Sequence, residues 1–253
     1  VMRELQKQHP IDLVPTFMGA HAVPPEYKGH EDEFVDYLIE EMLPRVANEH
    51  LAEFNDVFCE KGVYTPEQSE RILEAGKKYG LIPKIHADEI EPYGGAELAA
   101  KVGAISAEHL LKASEEGIKK MAEAGVIACL LPATALYLRE EAAKGRKMVD
   151  GGVPVAISTD CNPGSSPTTS MPLVMNLACI SMRLTPAEAL TAATFNAACA
   201  IKREHVVGSL EEGKQADIVL WNVKDYRELQ YLFGVNHVKT VWKKGVQVVN
   251  RSE

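Results

Sequence analysis

The sequence lacks a Cys-x-x-Cys pair. Its five cysteines (Cys59, Cys129, Cys161, Cys179 and Cys199) are scattered, most of them among apolar or small residues. That argues against a disulfide framework and for the reduced thiols of a cytoplasmic protein. A basic block is missing too. The net charge is −9 and the pI near 5.5, whereas a nucleic-acid footprint needs a basic stripe. No apolar run approaches the ~20 residues of a transmembrane helix, so no membrane association is expected, and no signal peptide is visible at the start. Neither GxGxxG nor GxxxxGK followed by Ser or Thr occurs, which removes the glycine-rich phosphate loops of nucleotide binders.

What is present is an ordinary globular composition, 46% hydrophobic and 25% charged over 253 residues. It suffices for one large α/β domain, or one domain with a small appendage. The chain opens on Val1-Met2-Arg3-Glu4-Leu5, already helix-like, and reads as if entered midway.

Apolar runs alternate with amphipathic helices. Strands are expected at 13–18, 56–60, 81–86, 104–109, 126–131 and 153–158. Helices are expected at 33–48, from Thr65-Pro66-Glu67-Gln68 to Gly80, at 94–102, from Ser114 to about 124, and at 136–147. A long helical region then contains the capping box Thr185-Pro186-Ala187-Glu188. Such a βα series implies a parallel sheet. His21, Glu60, His86, His109 and Asp160 all fall at C-terminal strand ends, where a β/α barrel gathers its catalytic groups. The expected fold is therefore a TIM-type (β/α)8 barrel with about six of its eight strands; two strands upstream of Val1 would close it. Two open edges in such a barrel predict aggregation of the chain alone. Beyond about residue 205 the texture turns to short β runs and turns. The expected domains are an incomplete barrel over 1–204 and part of a small β domain over 205–253.

The residues that could carry chemistry begin with KIHADE, residues 84–89. Strand alternation puts Ile82, Lys84 and His86 on one face, so His86 points inward as a metal ligand or, more plainly, as a core histidine. Ala156, Ser158 and Asp160 share a face in the same way. A lone inward carboxylate is costly to bury without a cation, a metal or several donors; the plainer alternative is a turn aspartate in DCNPG. His86 and Asp160 would make half of a nitrogen–oxygen site suited to Zn²⁺ or Fe²⁺. His109 is a candidate third ligand, or a group orienting water or substrate. Glu89 is a candidate proton shuttle, or a solvated loop residue. His21 sits among small residues and prolines that leave room for a ligand. The loop with Asn162, Gly164 and Ser165 could offer N–H groups and hydroxyls to an anion, or be a plain turn.

GAHAVPPEYKG, FCEKGVYTPEQS, KIHADEI, SAEHLL, LLPAT, STDCNPGSSPTTSMPLVMNLAC and LTPAEALTAATFNAA together resemble the imidazolonepropionase family of the amidohydrolase superfamily, over essentially the whole chain. The resemblance implies one zinc or iron ion per subunit, with His86 and Asp160 as metal ligands. It implies substrate contacts at His21, Glu89, Asn162, Gly164 and Ser165, and catalytic roles for His109, Glu89 and Asp160. The implied reaction is hydrolysis of the cyclic amide of 4-imidazolone-5-propanoate to N-formimidoyl-L-glutamate, in histidine degradation. The implied partner is that small molecule, and a homodimer is compatible. Alternatives are another amidohydrolase, such as a heterocycle deaminase, and a metal-free, non-catalytic barrel. The family's His-x-His metal motif and its first two strands are not in this sequence, so the chain alone is expected to be inactive. SAEHLL has glutamate where the family leads us to expect aspartate.

Overall fold

The structure, a computed structural model, describes residues 1–251. In chain order, α1 (Met2–Gln8) precedes β1 (Thr16–Ala20). Next come α2 (Glu31–Tyr37), a π turn over Leu38–Met42, and α3 (Leu43–Asn48). The spacing predicts one helix over 33–48. The chain is helical through that stretch but widens into a π turn just ahead of Pro44. Proline offers no N–H and crowds the carbonyl four residues back, so a regular α-helical bond is lost there.

The βα series follows, with β2 (Phe54–Cys59), α4 (Pro66–Lys78), β3 (Ile82–Ala87), α5 (Gly95–Val102), β4 (Ser106–His109) and α6 (Glu115–Ala124). Then come β5 (Ile127–Leu130), α7 (Pro132–Leu138), α8 (Gly145–Asp150) and β6 (Val155–Ile157). The expected helix over 136–147 is two short helices. Pro132 starts α7 in its first turn, and Arg139, in left-handed backbone at φ 63°, ends it. α9 (Met171–Met182), α10 (Pro186–Ala193) and α11 (Phe195–Ala200) complete the helical region. Last are β7 (Ile218–Trp221), α12 (Glu228–Tyr231), β8 (Val238–Lys243) and β9 (Val246–Asn250).

The caps form as the sequence requires. Thr65 Oγ1 accepts the Gln68 N–H at 3.2 Å, and Gln68 Oε1 accepts the Thr65 N–H at 3.0 Å. Ser114 caps α6 through the Gly117 N–H at 2.8 Å.

Six strands form one sheet in the order β1-β2-β3-β4-β5-β6, and β7-β8-β9 form a separate antiparallel sheet. The parallel register aligns Asp56 with Lys84, Phe58 with His86, and Ala87 with His109. The C-terminal ends of β2, β3 and β4 therefore lie level. In the small sheet, Lys244 and Gly245 turn the β8–β9 hairpin with φ of 53° and 78°, as a two-residue I′ turn demands. The described residues form two compact units, one of Val14–Ala128 with Met148–Pro154, the other of Val1–Leu13, Cys129–Lys147 and the residues from Val155 onward. In the first, Val57, Ile72, Leu73, Ile85, Ala99 and Met121 are buried between strands and helices. Burying each large side chain contributes roughly 1.5–3 kcal/mol.

Candidate active site

The unit built on 14–128 brings His21, Asp56, His86, His109 and Glu89 near one another. Asp56, on β2, is almost fully buried. Its Oδ1 lies 2.8 Å from His21 Nε2, just past β1, and 2.8 Å from His86 Nδ1, on β3. Burial alone would raise the Asp56 carboxyl; the imidazoles of His86 and His21, by charge and hydrogen bond, overcome it and hold the carboxyl below its usual range. An ionised carboxylate only accepts, so His86 Nδ1 and His21 Nε2 are both donors. That fixes the tautomer of His86 and makes Nε2 the nitrogen suited to a metal. A carboxylate behind a histidine is how metal-binding imidazoles are usually oriented.

Ligand atoms of His21, Asp56 and His86 all lie within 4.8 Å of one another, a set able to hold a divalent ion. The shared oxygen, however, stands at hydrogen-bond distance from both rings. Ligands of one tetrahedral zinc stand about 3.3 Å apart. That spacing suits Asp56 as a group that orients both imidazoles by hydrogen bonds.

His109 ends β4 and is 4% exposed. Alternation along β4 would turn it away from Glu108, but its backbone is left-handed at φ 69°. The ring stands 5.1 Å from that of His86, centroid to centroid. Burial first, then the neighbouring His86, pushes its pKa down to about 3, so the imidazole is neutral at pH 7. Its Nδ1 is buried and makes no hydrogen bond among the described residues. Glu89 Oε1 lies 3.4 Å away, close enough for attraction and too far for a good hydrogen bond. Below His86 on the same face, Lys84 and Glu108 form a buried ion pair at 2.8 Å, joined by Ser106. A cleft of about 430 Å³ opens beside His21, lined by Lys28, Tyr64, Gln68 and Tyr93 among others, within the usual range for small ligands. A larger groove of about 630 Å³ lies among α4, α5 and α6 and holds none of these residues.

Asp160 belongs to the other unit. The expected strand to 158 ends at Ile157, and Asp160 follows in left-handed backbone at φ 49°. Its Oδ2 accepts from Thr134 Oγ1, at the start of α7, at 2.6 Å. Asn162 Oδ1 accepts from the N–H groups of Gly164 and Ser165 at 2.8 and 2.7 Å. The loop donors expected to meet an anion are thus engaged by the loop's own asparagine, the turn alternative, and an anion would have to share them. Asp88, His109 and Leu110 stand in left-handed backbone just at or past the ends of β3 and β4, a conformation that costs energy in non-glycine residues.

Asp56 carries little signal in the sequence alone. FNDVFC reads as a buried strand, and its Asn-Asp pair carries no motif. The signal available was register, since Asp56 lies two residues before the position paired with His86 and so shares its face.

A profile described as Amidohydrolase family matches residues 58–248. The chain belongs to the amidohydrolase family, and its parallel sheet with a small antiparallel sheet is the partial barrel and small β domain of that fold. Within it, the chain is 67% identical over 249 residues to the imidazolonepropionase of Brevibacillus brevis, covering 98% of this chain and 59% of that protein. It is 63% identical over 250 residues to the imidazolonepropionase of Geobacillus kaustophilus, covering 99% and 59%. The chain thus spans about three fifths of the length of the curated relatives it matches. Among solved structures, a triazine hydrolase variant superposes with a TM-score of 0.78 at 21% identity. An adenosine deaminase from Xanthomonas campestris with bound zinc superposes at 0.75 and 22%. Each covers 98% of this chain, which covers 63% of each; at these identities the likeness is one of fold.

Proposed function

We propose that the whole protein is an imidazolonepropionase, a cytoplasmic enzyme that hydrolyses the cyclic amide of 4-imidazolone-5-propanoate to N-formimidoyl-L-glutamate. The observation that carries this reading is the 67% identity over 249 residues to a protein of that name. His86, oriented by Asp56, and Asp160 are the metal ligands supplied by this chain, for zinc or iron. Residues 1–204 form its part of the barrel and 205–253 its part of the small β domain.

A bound metal supplies a Lewis acid for the ring carbonyl and acidifies water. The protein's own groups do the rest. Held neutral by its burial, His109 can hydrogen-bond and orient water or substrate at the reaction centre, and Asp160 can accept a proton and return it. Glu89 shuttles a proton between water and substrate. His21, Glu89, Asn162, Gly164 and Ser165 contact the substrate.

The test is a ring-opening assay on the whole protein, following loss of ring absorbance with and without a chelator. Chelator-sensitive turnover is expected. A folded, metal-loaded protein that leaves the ring intact would end the substrate assignment and turn the search to other amidohydrolase reactions, heterocycle deamination among them.

A further inference from the structure

Glu60 is a strand-end acid with no part in the cluster around Asp56. It stands one residue past β2 and is completely buried. An ionised carboxylate in that position is costly unless donors surround it. Here the donors are backbone amides. Oε1 accepts from the N–H of Lys61 at 3.0 Å and of Glu91 at 3.3 Å. Oε2 accepts from the N–H of Glu89 at 3.0 Å and of Ile90 at 2.9 Å. Hydrogen bonds to a charged acceptor are about twice as strong as neutral ones. Three of these four donors belong to the loop that follows β3, and the first of them is the N–H of Glu89 itself.

Asp88 holds the far end of the same loop. Its Oδ1 accepts from the N–H groups of Tyr93, Gly94 and Gly95 at 2.8, 3.0 and 3.2 Å, and its Oδ2 from that of Ala96 at 2.9 Å. Residues 89–96 are therefore tied down from both sides, with the Glu89 carboxylate 3.4 Å from the buried Nδ1 of His109. A catalytic group displaced by about 1 Å can lose about 10²-fold in rate.

We infer that Glu60 is the positioning residue for Glu89. By gripping the backbone of 89–91 it sets where the Glu89 carboxylate stands beside His109. The inference rests on the proposed reading of Glu89 as a proton-transfer group.

The experiment is a double-mutant cycle in the whole, metal-loaded protein with 4-imidazolone-5-propanoate, comparing wild type, Glu60→Gln, Glu89→Gln and the double variant. Glutamine keeps the size of Glu60 but turns an NH2 donor toward amides that need an acceptor. Glu60→Gln is expected to lower kcat by about tenfold or more, with KM and bound metal little changed. Once Glu89 is glutamine, the same change should cost less than about twofold. An equal loss in both backgrounds, or no loss in either, overturns the inference while leaving Glu89's role intact. Wild-type turnover by Glu89→Gln sinks the role of Glu89, and this inference with it. Should Glu60→Gln not fold, amide exchange on the wild-type protein decides. Glu89, Ile90 and Glu91 should exchange at least about 10²-fold more slowly than exposed loop amides, and free exchange at these three refutes the clamp.

Discussion

At the scale of single residues, the chemistry depends on what stands behind each side chain. Strand alternation places His86 on the inner face, but alternation says nothing about its tautomer. Asp56 supplies that by holding Nδ1–H at 2.8 Å, and the same oxygen ties down His21. We predict that Asp56→Ala, in the whole protein, weakens metal affinity by about 10- to 100-fold. Titration with zinc against a competing chelator would measure it; unchanged affinity would remove Asp56 from the site. His86 was legible because a histidine at a strand end is conspicuous. Asp56 was not, because an acid inside a buried strand acquires its meaning only from the strand beside it.

Among the elements, local chemistry was read most completely. Thr65, Ser114 and Thr185 cap their helices as the sequence says, because capping is settled within four residues. The helix expected over 136–147 broke because its end depends on backbone geometry at Arg139, which no local pattern announces. Close approach is likewise hidden in sequence. A Cβ on Gly95 would meet Ala87 Cβ at 2.6 Å and Ala87 Cα at 3.1 Å, so α5 starts directly on β3. Gly95→Ala should therefore destabilise the protein by about 1–3 kcal/mol in urea unfolding; an unchanged midpoint and slope would contradict it.

Glu188 shows a second link, beyond its cap. Arg146 donates to both its oxygens at 2.8 and 3.0 Å. Arg146 first, then the Thr185 backbone and hydroxyl, hold its carboxyl down to about 2, against a burial effect that would raise it. A depressed carboxyl stabilises the fold fully above its unfolded value near 4.5, and the stabilisation is lost as pH falls from there toward 2. The melting-temperature advantage of wild type over Glu188→Gln should shrink between pH 6 and pH 3. With about a third of the side chain exposed, the effect is modest, and a pH-independent difference would rule it out.

At the scale of the whole molecule, strand order matters more than any residue. Among the described residues, β1 and β6 end the six-stranded sheet and present unpaired edges. The small sheet adds exposed apolar side chains at Val219, Leu220, Val246 and Val248. We predict that this 253-residue chain produced alone self-associates at micromolar concentration. Sedimentation as a single monomer with one cooperative unfolding transition would contradict that.

The sequence by itself determined the alternation of strand and helix, the caps, and which strand ends bear histidine and acid, because these rest on periodicity and on contacts a few residues long. Its motifs also pointed to the family. Tertiary structure alone decided that Asp56 joins His21 to His86, that a left-handed residue brings His109 beside His86, and that Glu60 holds the loop bearing Glu89. Each of these contacts joins different strands or their ends, up to 35 residues apart, and a hydrogen bond across a sheet is set by register, which no single stretch of sequence contains.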